Sequence, residues 1–191
     1  AAPNPPLPPK EILAPMAGRY IDPATGATLD ISVSDDGVPT LSTNGLPAIA
    51  EATEDGRITV PRSSSIFTVR AADADAVEVE LDAAMVSTWQ RTPAEPKLPA
   101  GLPGTYLSEE MAARWEITQD GDGMVAQAFG PVIRGAKWRI EPIAGDDVRV
   151  HVPGTLMRGW LDVRAVRDAA GRIEALVVNG GRVKKARYPR Q

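Results

Sequence analysis

His151 is the only histidine in the chain, and there is no cysteine. Together these two counts remove thiolate chemistry, disulfides and Cys-ligated zinc, and they leave no usual His-rich metal site within one copy. The histidine sits in Val148-Arg-Val-His-Val. Strand alternation puts it on the side of Arg149, opposite the three valines and away from the apolar face. It has no orienting acid or nucleophile beside it in the sequence, which is a weak basis for general base work. Ser63-Ser-Ser65 reads as a hairpin loop. No Ser-x-x-Lys and no Gly-x-Ser-x-Gly occurs anywhere.

The carboxylates, as in Asp35-Asp36, Glu109-Glu110 and Asp146-Asp147, fall mostly in turns where solvated acids are expected. Asp120-Gly-Asp-Gly123 starts like a calcium loop but lacks the later ligands, so it reads as a turn. Asn179-Gly180-Gly181 lacks the strand–loop–helix setting of a phosphate cradle and also reads as a hairpin turn. The basic residues from Arg182 to Arg190 suit the solvated face of a last strand, or contact with an acidic partner. No catalytic residue, metal ligand or cofactor site is expected in this chain.

The elements that would carry these residues are short strands. The chain has 191 residues, 17 Gly and 18 Pro, and 43% hydrophobic residues, so it can bury a core while turning often. A net charge of −4 argues against nucleic acid as a partner, and no apolar run is long enough to span a membrane. Ala27-Thr-Leu-Asp-Ile-Ser-Val places Leu29, Ile31 and Val33 on one side. Similar alternation recurs through Trp160-Leu-Asp-Val-Arg-Ala-Val. Asp-Gly and Gly-rich pairs lie between these runs and supply turns. The segment from Glu109 to Trp115 is open to either strand or helical turn.

An internal repeat organises the whole. Residues 18–37 align without a gap on 104–123, matching Gly18 with Gly104, Tyr20 with Tyr106 and Ile31 with Ile117. Later, Phe67-Thr-Val-Arg-Ala71 matches Leu161-Asp-Val-Arg-Ala165, and 77–81 matches 173–177. Two copies of one small domain follow, each with up to about eight strands that do best by closing. The expected fold is all-β, two tandem antiparallel eight-stranded barrels. Residues 1–14 form a linker or a terminal arm, 15–92 the first barrel, 93–103 a stiff Pro-rich linker and 104–191 the second barrel.

One loop differs between the copies. Val60-Pro61 aligned on Val152-Pro153 leaves the second loop two residues longer, reading Pro153-Gly-Thr-Leu-Met-Arg-Gly-Trp160. Its apolar side chains either fold back to plug a barrel mouth or reach a neighbouring domain.

Leu102-Pro-Gly-Thr-Tyr-Leu-Ser-Glu-Glu110, Ala113-Arg-Trp-Glu-Ile117, Gly130-Pro131, Trp138-Arg-Ile140, Arg167-Asp-Ala-Ala-Gly171 and Ala186-Arg-Tyr188 resemble the C-terminal half of the D-aminopeptidases among the penicillin-recognising serine hydrolases. The resemblance spans essentially the whole chain, better in the second copy. It implies lipocalin-like barrels that follow a catalytic domain, the last of them sending a loop into the catalytic cleft. The substrates would then be short peptides with a free N-terminal D-residue. By position that gating role falls to Gly154, Thr155, Leu156, Met157 and Arg158. Tyr106-Leu-Ser108 is read as structural, because Tyr20 matches it in the repeat. The catalytic serine, lysine and tyrosine would belong to a separate domain or chain, which becomes the expected partner. The setting implied is a bacterial cytoplasm or periplasm. The alternative is an autonomous small-ligand-binding or homodimerising barrel module.

Overall fold

One-sided apolar alternation makes strands whose buried faces must meet, and here they meet inside two barrels. The structure is a computed structural model that describes residues 10–43, 45–62, 65–81, 85–131, 134–152, 159–180 and 183–191. The chain divides into two units, Ala1–Thr92 and Pro93–Gln191. The fold class expected from the sequence is the observed one.

In the first unit a short helix, α1 (Lys10–Leu13), and a 3-10 turn (Ala14–Met16) precede the strands. These are β1 (Gly18–Ile21), β2 (Thr28–Val33), β3 (Pro39–Thr43), β4 (Leu46–Ile49), β5 (Glu51–Ala52), β6 (Ile58–Arg62), β7 (Ser65–Asp73), β8 (Ala76–Leu81) and β9 (Met85–Arg91). The sheet order is β4-β3-β2-β1-β9-β8-β7-β6-β5. Its two edges, β4 and β5, are consecutive in the chain with Ala50 alone between them. The first piece pairs with β3 and the second with β6, so one broken strand closes the barrel. Nine strands therefore fill eight places around the wall, and no long edge is left unpaired.

The second unit is a simple meander of β10 (Gly104–Ser108), β11 (Ala113–Asp120), β12 (Gly123–Phe129), β13 (Arg134–Ala144), β14 (Asp147–Val152), β15 (Gly159–Arg167), β16 (Ile173–Gly180) and β17 (Val183–Pro189). Residues 109–112 form a turn, and Asp120-Gly-Asp-Gly123 is the β11–β12 hairpin. Closure runs through the Tyr106–Arg190 bridge and the Gln191 N–H, which donates to Thr105 O at 2.9 Å.

The repeat is visible in the register. Gly18 pairs with Ile31 and Tyr20 with Leu29; Gly104 pairs with Ile117 and Tyr106 with Trp115. Both barrels also share a floor. The Tyr20 hydroxyl donates to Met16 O at 3.0 Å, and the Tyr106 hydroxyl donates to Leu102 O at 2.7 Å. Arg91 donates to Ala17 O (2.8 Å) and Pro15 O (2.7 Å) and lies over the Tyr20 ring. Arg190 does the same with Gly101 O (2.8 Å), Pro103 O (2.6 Å) and the Tyr106 ring. Leu13 and Met16 enter the first core, while Leu102, with Leu98 beside it, enters the second. The Pro-rich segment thus supplies part of the second barrel's floor as well as joining the units.

Further along, the ladders correct the alignment of the copies. Val60 pairs with Phe67 and Val150 with Leu161, so Val60 corresponds to Val150 and not to Val152. Val69 pairs with Val79 and Val163 with Val178, which moves the partner of Val77 from Ile173 to Leu176. Connections of unequal length and bulges at different places account for the slip.

The interiors differ in what fills them. Leu29 and Leu41 of the first barrel correspond to Trp115 and Ala126 of the second, and half-buried Ala48 corresponds to Trp138. Trp115 meets Trp138 edge-on at 5.8 Å and Tyr188 at 5.6 Å, and all three are buried. Large residues opposite small ones let the second interior interdigitate.

Candidate functional site

In an up-and-down barrel alternate connections gather at one end. The β14–β15 ladder ends away from the Tyr106 floor. The ladder flanking it ends at Val152–Gly159, and the matching ladder in the first barrel ends at Arg62–Ser65. Residues 63–64 therefore correspond to residues 153–158. The second connection is four residues longer than the first, where sequence alignment counted two. Gly154, Thr155, Leu156, Met157 and Arg158 lie outside the described residues, as do Ser63 and Ser64.

The stem below that connection carries an unusual outer wall. Val148 and Val150 of β14, and Val163 and Ala165 of β15, point into the core. Arg149, His151, Trp160, Asp162 and Arg164 therefore point outward, as alternation dictates. Outward residues on a barrel are normally wet. Yet Arg149 is 1% exposed, Asp162 2% and Trp160 9%. The Arg149 Nε stands 4.0 Å from Asp162 Oδ1, and its guanidinium carbon lies 3.8 Å from the Trp160 ring centroid. The indole leans along the wall from its place opposite His151 and covers the cation.

The His151 Nε2 is 2.7 Å from Glu141 Oε2, and the His151 side chain remains 39% exposed. Glu141 lies on β13, in register with Arg149. The orienting acid that the sequence did not reveal is thus one strand away. Among the described residues no serine or threonine hydroxyl is bonded to the ring. The pair can receive a polar group, and among the described residues no nucleophile is bonded to it.

The wall continues on both sides. Arg164 grips Asp147 through two bonds of 2.8 and 3.0 Å. Burial of Asp147 raises its pKa, and the bonds and charge from Arg164 oppose that rise. Asp162 pairs across to Asn179, whose Oδ1 accepts the Lys185 N–H at 2.8 Å. Lys185 has φ of +55°, a left-handed backbone that a non-glycine residue adopts at some cost.

The first barrel lacks the buried charged pair. In place of Arg149 and Asp162 it has Thr59 and Thr68, their hydroxyls 3.4 Å apart and half-buried. No family model and no curated protein matches the chain.

A large open hollow, about 730 Å³, lies at the floor end, lined by Arg167, Arg172, Arg190, Asp168 and Glu174. Its arginines are occupied. Arg167 binds Asp146, Gly171 O and Ala100 O; Arg172 binds Asp168; and Arg190 holds the floor. Among the described residues no group of three or more His, Asp or Glu is placed to hold a metal, and no helix is long and apolar enough to cross a membrane.

Proposed function

We propose that this chain is the non-catalytic C-terminal accessory region of a D-aminopeptidase-like serine hydrolase. Its second barrel sends the 153–158 connection toward the catalytic cleft, restricting substrates to short peptides with a free N-terminal D-residue. The single observation that carries this reading is the asymmetry between the copies. Two residues separate β6 from β7, which carry a neutral Thr59–Thr68 pair, whereas six separate β14 from β15, which carry a buried Arg149–Asp162 pair. Duplicated domains diverge where one copy has taken on work, and loops on a rigid barrel are the usual place for it.

The residues that carry the resemblance are consistent with this division. Tyr106, Trp115, Trp138 and Tyr188 fill the second interior, and Arg167 is tied into its floor. The bond-making groups would then be the partner's. The partner is a catalytic serine-hydrolase domain or chain. Gating would be steric, with Leu156 and Met157 limiting length and Arg158 supplying charge.

Deleting residues 154–157 in the complete enzyme tests the reading. Longer peptides should become substrates while the barrels melt as before. An unchanged substrate range would contradict it.

A second reading, a homodimerising or docking module, draws on the first barrel. Leu46, Ile49, Met85 and Val86 are exposed on β4 and β9. A stable dimer of the lone chain in solution would favour it.

A further inference from the structure

We infer that the end of the first barrel away from the Tyr20 floor binds a small, uncharged aromatic molecule of about the size of an indole, held by inward-facing side chains of β3, β4, β7, β8 and β9. This goes beyond the accessory reading and does not depend on it.

The argument starts from the direction in which exposed apolar residues point. Directly opposed residues of an antiparallel ladder share a face of the sheet. Val79 is in the core and pairs with Ser87; Leu81, two residues on, faces the same way and pairs with Met85. Leu41 is in the core, and Thr43, two residues on, pairs with Leu46. Leu46 and Met85 therefore point into the barrel, yet they are 56% and 63% exposed. Ile49 and Val86 are also exposed but point outward, opposite Thr40 and Glu80. The β3–β4 and β8–β9 ladders end at Thr43–Leu46 and Leu81–Met85, and up-and-down order puts both ends on one side of the barrel. Phe67, opposed to Leu81, is only half-buried there. Inward apolar side chains that still meet water mark an interior that the barrel's own residues do not fill.

The second barrel shows what fills the same space. By register Thr43 corresponds to Ala128, Ala48 to Trp138 and Ser87 to Ala186. Ala128, Trp138 and Ala186 are buried, whereas Thr43 and Ala48 are half-buried and Ser87 is exposed. The cause is the loss of two indoles. Leu29 and Ala48 stand where Trp115 and Trp138 pack edge-on, and only Leu41 for Ala126 returns volume. What the first barrel lacks is aromatic and flat, and a ligand of that shape completes it. Eight-stranded barrels have room for one small ligand of this kind.

The lining also sets the ligand's polarity. Thr43, Leu46, Phe67, Leu81, Met85 and Ser87 carry no charge, so a charged group among them would lose its hydration without a partner. Below them Trp89 is buried, and its Nε1–H donates to Ser87 Oγ at 2.8 Å. The Ser87 O–H can then donate to a carbonyl or hydroxyl on the ligand, one polar contact in an apolar site. Benzene would leave much of the opening wet and is too small to be held there.

The test titrates the chain with N-phenylnaphthylamine, a neutral fluorescent probe, and follows probe fluorescence and thermal unfolding. The expected result is saturable binding of one probe per chain with a raised unfolding temperature. L46E/M85E places carboxylates at two exposed inward positions, where folding tolerates them, and should weaken binding by about tenfold or more. I49E/V86E places them on the outer face of the same strands and should leave binding unchanged. L29W/L41A/A48W copies the second barrel and should abolish binding; if it does not fold, the contrast between the two glutamate variants decides. The inference is overturned if the parent shows no saturable binding, or if L46E/M85E binds as the parent does. It is also overturned if I49E/V86E weakens binding as much, because the probe would then sit on the outer face. A parent dimer that binds no probe and that L46E/M85E dissociates would make the opening an interface between copies, and would overturn it too.

Discussion

Arg190 closes the second barrel beneath Tyr106, its guanidinium 5.6 Å from the ring and bonded to the carbonyls of Gly101 and Pro103. Gly104 makes room for it, because a Cβ there would approach Arg190 Nη2 to 2.9 Å. Arg91 and Gly18 repeat the arrangement, and a Cβ at Gly18 would run into Arg91 Nη1. R91M should destabilise the first barrel by about 2 kcal/mol, the scale of charge-assisted bonds to partly buried carbonyls. R190M should cost less, because Arg190 is more exposed. G104A should destabilise both backgrounds, since Gly104 has φ of +158°, but by less in R190M, where the contact with Arg190 is gone. Additive effects in denaturant unfolding would rule out the proposed contact.

The second interior is filled by Trp115, Trp138 and Tyr188, so the native barrel should not bind small apolar ligands. W138A should open a cavity at a cost of about 3–5 kcal/mol. That cavity should admit benzene or a similar ligand, detected as a rise in unfolding temperature of the variant alone. An equal rise in the parent would mean its interior is hollow.

All three tyrosines, Tyr20, Tyr106 and Tyr188, have their pKa raised above 10.0, chiefly by burial. Above that value the folded state holds protons that the unfolded state has released. Stability from these groups is complete below pH 10 and is lost as pH rises through the folded values. Absorbance at 295 nm should show no normally titrating tyrosine, and phenolate should appear together with alkaline unfolding. A smooth titration near pH 10 in the folded protein would contradict the packing.

Asp147 works in the acid range. Its folded pKa is raised, so it favours folding below its unfolded value, and that contribution is lost as pH rises through the folded value. The parent should therefore gain stability relative to D147N as pH falls through that window. The reverse slope, measured by denaturant unfolding from pH 7 to pH 4, would mean that Arg164 outweighs burial.

Much of the barrel architecture was legible because its carriers are local. Alternation at Leu29, Ile31 and Val33 gives a strand and its inner face, and the Gly18/Gly104 match preserves the β1–β2 register in both copies. Later matches slipped by two or three residues, since bulges near Ala72 and Glu174 and unequal connections leave no local trace. The break at Ala50, which closes the first barrel, is equally silent.

At the candidate site the outward direction of His151 was legible and its partner was not. Glu141 reaches it only because the bulge between Pro142 and Ala144 sets the β13–β14 register. Arg149 reads as a solvated strand residue, since nothing in Val148-Arg-Val says that Trp160, eleven positions on, will lie across it. Long-range cover of this kind is a tertiary property.

The central claim is that this chain serves a serine hydrolase. Its most direct test is purification of the chain from its native source, followed by intact mass, gel filtration and labelling with a fluorescent penicillin. The account predicts a penicillin-labelled polypeptide, continuous with the barrels or bound to them, that releases N-terminal D-residues from short peptides. A lone species of 20.3 kDa with no label and no peptidase activity would contradict it.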